Sequence, residues 1–167
     1  MRSLRTETLT LEPQTREHAQ AMFVVLADPS IYLHENAPPQ SLEWLEQRFA
    51  RLESRRSPDG QQQWLNWVIR FSDGEVIGYV QATVRADGSA LLAYVLGSAY
   101  WGKGLASQAV VAMVDELRAQ YSVTRLEAVL KQSNLRSQRL LERLGFAMVA
   151  PLDGEIDADE ILMRRQA

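Results

Sequence analysis

The spacing of apolar residues changes along the chain, and each change marks a different kind of backbone. Residues 9–12 alternate apolar with polar and stop at Pro13, which predicts a short strand. Thr15 then caps a predicted helix running to about Ala27, with Ala19, Met22, Phe23 and Leu26 on one face and Asp28-Pro29 as its stop. Residues 31–39 have no period and contain two prolines, so they read as an ordered loop. Ser41 caps a second helix, in which Leu42, Leu45, Phe49 and Leu52 recur at helical spacing.

From Trp64 onward β-branched and aromatic residues dominate. Residues 64–71 and 75–84 form a predicted hairpin around Ser72-Asp73-Gly74, and Asp87-Gly88 turns the chain into a third strand at 90–96. That strand is apolar on both faces, as a central strand covered from both sides should be. After residues 97–104 comes a helix with Leu105, Ala106, Ala109, Val110, Met113, Val114 and Leu117 as its buried stripe. Residues 125–130 alternate again, with Leu126, Ala128 and Leu130 set against Arg125, Glu127 and Val129, and their closeness to the preceding helix predicts a parallel βαβ crossover. Asn134 or Ser133 caps a last helix through Leu144, with Gly145 at its end. Closing strands near 146–150 and 160–163 flank an acidic hairpin containing Asp153, Glu155, Asp157 and Asp159. The expectation is a single α+β domain over residues 1–167, a mixed sheet with helices on both faces.

Composition narrows the function classes. The 167 residues suit one core, and 46% apolar with 23% charged residues is ordinary for a globular chain. A net charge of −3 with scattered Lys and Arg gives no basic stripe, so nucleic acid is not an expected partner. The absence of cysteine removes disulfides, thiolate metal sites and any acyl-cysteine intermediate. His18 and His34 are the only histidines, too few for a histidine-built metal site. No apolar run approaches the roughly 18 residues of a membrane span. The reading is therefore a cytoplasmic protein with no membrane association, for which homodimer formation stays open.

Two motifs carry chemistry. In Tyr100-Trp101-Gly102-Lys103-Gly104-Leu105-Ala106-Ser107, two glycines and two small residues at a strand-to-helix turn let backbone N–H groups approach an anion, and the helix N-terminus adds its positive end. Alone the turn also reads as a glycine-rich connector. A dinucleotide fingerprint fits poorly, because Ser107 occupies the third glycine position and no acidic strand end follows about 20 residues on. In the second motif Asn134, Ser137 and Leu141 share a helix face, followed by Leu144-Gly145-Phe146. Its plain reading is a helix cap and a surface serine.

Taken together the motifs resemble the GNAT superfamily of acetyl-CoA-dependent N-acetyltransferases, within it the RimJ/RimL-like branch, and the element order agrees over nearly the whole chain. Trp101-Gly102-Lys103-Gly104-Leu105-Ala106 is similar to the superfamily's Q/R-x-x-G-x-G/A signature, and Asn134-x-x-Ser137 with Leu144-Gly145-Phe146 is similar to its other cofactor motif. The resemblance implies a splayed parallel strand pair that admits the pantetheine arm of acetyl-CoA alongside Tyr94, Val95 and Leu96. It implies that the amide near Leu96 polarises the thioester carbonyl, and that Gly102, Lys103, Gly104, Leu105, Ala106 and Ser107 hold the pyrophosphate. Asn134 would bond the pantetheine arm, and Ser137 would donate to the departing thiolate.

The implied reaction is direct acetyl transfer to a primary amine, on a protein N-terminus or on a small molecule such as an aminoglycoside or polyamine. Many members of the branch carry a glutamate base at the position aligned with Leu91. Its absence shifts the task to a loop group such as Glu35 or His34, to a water chain, or to an amine of low pKa. Trp44, Trp64 and Trp67 read as core or cleft wall. The rival from another class is a non-catalytic acyl-CoA-binding module.

Overall fold

A computed structural model describes residues 1–34, 37–152 and 154–167. Its strands are β1 (Leu4–Arg5), β2 (Leu9–Pro13), β3 (Gln63–Phe71), β4 (Val76–Val84), β5 (Ser89–Leu96), β6 (Arg125–Lys131), β7 (Ala147–Val149) and β8 (Glu160–Gln166). Its α-helices are α1 (Ala19–Val25), α2 (Leu42–Leu52), α3 (Leu105–Tyr121) and α4 (Leu135–Arg143). The strands lie in one sheet in the order β1-β2-β3-β4-β5-β6-β8-β7. Every neighbouring pair is antiparallel except β5 with β6, which the α3 crossover makes parallel.

Alternation along β3 sorts the core onto the two faces. Leu65, Trp67 and Ile69 join a cluster with Val110, Met113 and Leu117 of α3. Val68, from the opposite parity, packs with Met22 of α1 and with Leu45 and Phe49 of α2. Helices therefore cover both faces, and the fold is the α+β arrangement that the sequence predicts.

Local differences have local causes. The first predicted helix is divided into a 3₁₀ turn at Arg16–His18 and α1, because the Thr15 backbone N–H donates to His18 Nδ1 at 3.0 Å and tightens the entry. Ser41 caps α2 as expected, its Oγ accepting from the Trp44 N–H at 3.1 Å. The two-residue β1 is too short to show a period. β8 runs past Met163 to Gln166 because the polar residues Arg164, Arg165 and Gln166 continue the ladder with β6. In the acidic hairpin Asp159 accepts from Lys131 Nζ at 2.8 Å and Glu155 from Arg164 at 2.7 Å, while Asp153 lies outside the described residues.

Two features hold the centre of the sheet. Glu127 was expected on a polar face of β6, yet it is 3% exposed and meets Arg85 at 2.7 Å, Arg164 at 2.8 Å and Arg125 at 3.2 Å. Burial alone would raise its pKa, but the arginine hydrogen bonds outweigh that and hold the carboxyl below its usual range. The second feature is Gly78 in β4, opposite Leu96. A Cβ there would collide with the Val95 carbonyl oxygen and lie 2.9 Å from the Leu96 Cα. Gly78→Ala is accordingly expected to cost about 3 kcal/mol, at the upper end of ordinary overpacking because the obstacle is backbone. The urea midpoint of the purified variant checks this, and a midpoint equal to that of the parent would show that β4 and β5 can part without penalty.

Candidate functional site

The pairing of β5 with β6 is short. It runs through Ser89↔Arg125, Ala90↔Leu126 and Leu91↔Glu127 and then ends, while β5 stays paired with β4 as far as Gly78↔Leu96. Beyond Leu91 one edge of β5 faces a gap. The Gly97 N–H donates to the Ile77 carbonyl at 2.9 Å, on the β4 side, whereas the Leu96 carbonyl accepts from Trp101 Nε1 at 2.8 Å. Since N–H and C=O of one strand residue point the same way, the Leu96 N–H faces the gap.

The turn after β5 continues the wall of that gap. Gly102 and Gly104 have φ of +74° and +76°, which side chains rarely adopt, and open space lies where each Cβ would be. Gly104 is the N-cap of α3 and supplies no side-chain bond. The amides that open the 17-residue helix therefore point outward without intrahelical partners. A cavity of about 290 Å³ collects Tyr94, Val95, Leu96, Trp101, Gly102, Gly104, Leu105, Ala106, Ser107, Asn134 and Ser137. Of the residues singled out by sequence for this site, Lys103 alone does not line it; its Nζ sits 5.4 Å from the centre of the Tyr100 ring.

α4 contributes more than its first turn. Arg136, Leu140 and Arg143 also line the cavity, and the Arg136 guanidinium lies 3.8 Å from the centre of a Trp101 ring. Their i, i+4, i+7 spacing was the available signal, overlooked because two of the three are charged. Asn134, rather than Ser133, caps the helix: its Oδ1 accepts from the Ser137 N–H at 3.1 Å. Ser137 Oγ lies 2.6 Å from the Tyr94 hydroxyl, a side-chain partnership that spacing along the sequence does not reveal. Burial pushes the Tyr94 hydroxyl up to about 12, against the opposing pull of the Ser137 hydrogen bond.

A strap of chain crosses the cavity. Asp28 accepts from the Ser98 N–H at 2.8 Å and from the Ser30 N–H at 2.9 Å, and hydrogen bonding from the Ser98 side chain, then from the Ser98 and Ser30 amides, lowers its pKa to about 2. His34 Nδ1, at the other end, is 3.0 Å from Ser133 Oγ. Ser30, Ile31, Leu33 and His34 thereby become cavity wall. Glu35, the other loop group considered as a base, lies outside the described residues.

A second cavity, about 280 Å³, opens on the α1/α2 face of the sheet and shares Ile31 and Val95 with the first. Trp44 lines it, whereas Trp67 is core with no exposure and Trp64 donates to Gln62 at 3.1 Å. Leu91 lines neither cavity and is paired with Glu127 at the closed end of the strand joint. Four residues of strand, roughly 13 Å, separate it from Val95, so a carboxylate at that position would not reach the junction.

Against this geometry, the sequence profile of the acetyltransferase (GNAT) domain family matches residues 8–147. An uncharacterized N-acetyltransferase p20 from Bacillus licheniformis is 30% identical over 148 residues, 87% of this chain and 83% of that protein. Among solved structures, RimL, a ribosomal L7/L12 alpha-N-protein acetyltransferase in complex with coenzyme A, superposes with a TM-score of 0.81 at 18% identity over 98% of this chain and 97% of its own. A ribosomal-protein-S5-alanine acetyltransferase from Vibrio fischeri gives 0.80 at 20% identity, covering 98% and 96%.

The buried Tyr94 hydroxyl makes a pH-dependent contribution with a definite sign. An unfolded tyrosine loses its proton near 10 and folded Tyr94 near 12, so between these values the folded state holds more protons and stability falls as pH rises. Tyr94→Phe should remove on the order of 2 kcal/mol of that alkaline loss. Urea unfolding of both proteins between pH 9 and pH 12 measures it; identical slopes would show that the hydroxyl titrates as if exposed.

Proposed function

This chain belongs to the GNAT acetyltransferase family, and from that premise we propose that the gap beside β5 holds acetyl-CoA while a primary amine attacks from the α1/α2 side of Val95. The observation that carries this is that the unpaired edge of β5, the glycine turn and Ser137 wall one cavity. The cofactor supplies an acetyl group as a thioester. The free edge at Tyr94 and Leu96 offers backbone groups to an extended amide-bearing arm. The exposed amides of Leu105, Ala106 and Ser107, at the positive end of α3, suit a pyrophosphate, and Arg136 and Arg143 add charge. Because Asn134 Oδ1 is taken by the Ser137 N–H, its Nδ2 is the group left for the arm.

The Leu96 N–H donates to the thioester carbonyl oxygen, in a shielded slot where such a donor counts most. The Tyr94 hydroxyl lies 2.6 Å from Ser137 Oγ and either hydroxyl can donate in that pair; when Tyr94 donates, the serine hydrogen is free to point at sulfur. The amine nitrogen forms the N–C bond as the C–S bond breaks, the electron pair leaves on sulfur, the amine gives up a proton to water, and the thiolate takes a proton from water. The products are the N-acetylated amine and the coenzyme A thiol. The fold shared with RimJ/RimL-like enzymes supports a protein α-amine as one acceptor class, with a small-molecule amine as the other.

Acetyl-CoA at about a hundred times its dissociation constant should stabilise the folded protein by roughly 2.7 kcal/mol, and NAD at equal concentration should not. Thermal unfolding reads both, and equal stabilisation by NAD would refute the assignment. Ser137→Ala should lower kcat up to about 100-fold with acetyl-CoA affinity little changed, since a thiolate is a more diffuse acceptor than an oxyanion. Turnover followed by thiol release separates an enzyme from a binding module, and a loss confined to affinity would make Ser137 a binding residue only.

A further inference from the structure

The second cavity has a chemical character that narrows the acceptor. Gln14 lies on its wall at 3% exposure, and among the described residues its Nε2 has no hydrogen-bond partner. Buried polar atoms are nearly always paired, so an unpaired donor on a cavity wall is a donor left for a ligand. Asn66, 5% exposed, stands beside it on β3, its Nδ2 reaching Trp64 O only at 3.3 Å. Gln81 adds a third amide. Arg48, whose guanidinium lies 5.6 Å from the centre of the Trp44 ring, puts a cation at the rim. No Asp or Glu lines this cavity among the described residues.

Among the described residues this wall offers side-chain amides and one cation, and no anion. A polyamine or aminoglycoside, whose several ammonium groups need carboxylates around them, would meet the Arg48 cation and no counter-charge among the described residues. A carboxylate would meet the Gln14 amide and the Arg48 charge. The remaining wall is apolar, formed by Leu45, Phe49 and Leu52 of α2 with Trp44. At about 280 Å³ the cavity is at the low end for a small-molecule site. Its junction with the cofactor cavity at Ile31 and Val95 fixes where the amine must sit.

Resting on the reading of the first cavity as the acetyl-CoA slot, we propose that the second cavity binds a compact primary amine that bears a carboxylate on an apolar frame, an amino acid in class. Its nitrogen is presented at Val95, its carboxylate accepts from Gln14 Nε2 with Arg48 nearby, and its side chain lies against Phe49 and Trp44.

The test is a turnover panel with acetyl-CoA: apolar amino acids, the same amino acids as carboxamides, short peptides beginning with them, spermidine and an aminoglycoside. Free apolar amino acids should exceed their carboxamides by at least tenfold in kcat/KM. Preference for the carboxamides or peptides would overturn the proposal in favour of an aminoacyl N-terminus, and preference for spermidine or the aminoglycoside would overturn it outright. Gln14→Leu removes a buried unpaired donor, so it should raise Tm by a few degrees while raising KM for the amino acid about tenfold, with kcat and acetyl-CoA binding unchanged. An unchanged KM in that folded variant would remove Gln14 from the site and with it the proposal. Stabilisation by acetyl-CoA is measured separately, so failure of the cofactor reading shows as a missing Tm shift, whereas failure of this one leaves that shift intact.

Discussion

The site depends on the early end of one strand pairing. β5 and β6 share three residue pairs and then diverge, while each keeps its other neighbour, β4 for β5 and β8 for β6. Unpaired backbone inside a folded protein is costly, so the divergence must be held open by structure on both sides. At the closed end Glu127 gathers Arg85, Arg125 and Arg164, and Arg125 also meets Asp87 in the preceding turn at 2.8 Å. At the open end Trp101 and the Tyr94–Ser137 pair brace β5 against the glycine turn and α4. Gly78 lets β4 hold β5 closely enough that the gap opens on the far edge only.

Val95 is where the two cavities touch, and the residues flanking it face different chemistry. Tyr94 and Leu96 belong to the α3-side core, whereas the Val95 side also meets the amide-rich cavity bounded by α2. Strand alternation thus converts a one-residue step along β5 into a change of environment, with the first cavity on one side and the amide-rich second cavity on the other. The 28–34 strap closes over the junction, anchored to the end of β5 through Asp28 and to the entry of α4 through Ser133, so the same short segment contributes wall to both chambers.

The wall of the first cavity was legible in the sequence where it is local. Two of its stretches open helices, and there backbone amides and cap geometry follow from glycine, asparagine and serine at fixed offsets. The second cavity was not, because Gln14, Arg48, Asn66 and Gln81 come from four separate stretches of chain and meet only after the sheet forms. Tyr94 illustrates the boundary: a run apolar on both faces put it on a central strand, but its hydroxyl partner lies 43 residues away. Glu127 failed for a related reason, since period-two patterning assigns a charged residue to a wet face and cannot foresee three arginines arriving from the β4–β5 turn, β6 and β8. Leu91 was aligned by kinship with other chains, yet its register against Glu127 puts it at the wrong end of the strand.

In the proposed reaction the hydroxyl pair of Ser137 and Tyr94 sits where a free thiol is produced, in a stretch of 167 residues without a single cysteine. Nothing in these residues can trap the released coenzyme as a mixed disulfide, and neither hydroxyl climbs the sulfenic-to-sulfonic ladder that silences thiol-dependent sites. The cleavage step is thereby insulated from the redox poise of its surroundings. An electrophilic reagent such as a maleimide would react with the liberated coenzyme and leave this part of the catalyst untouched.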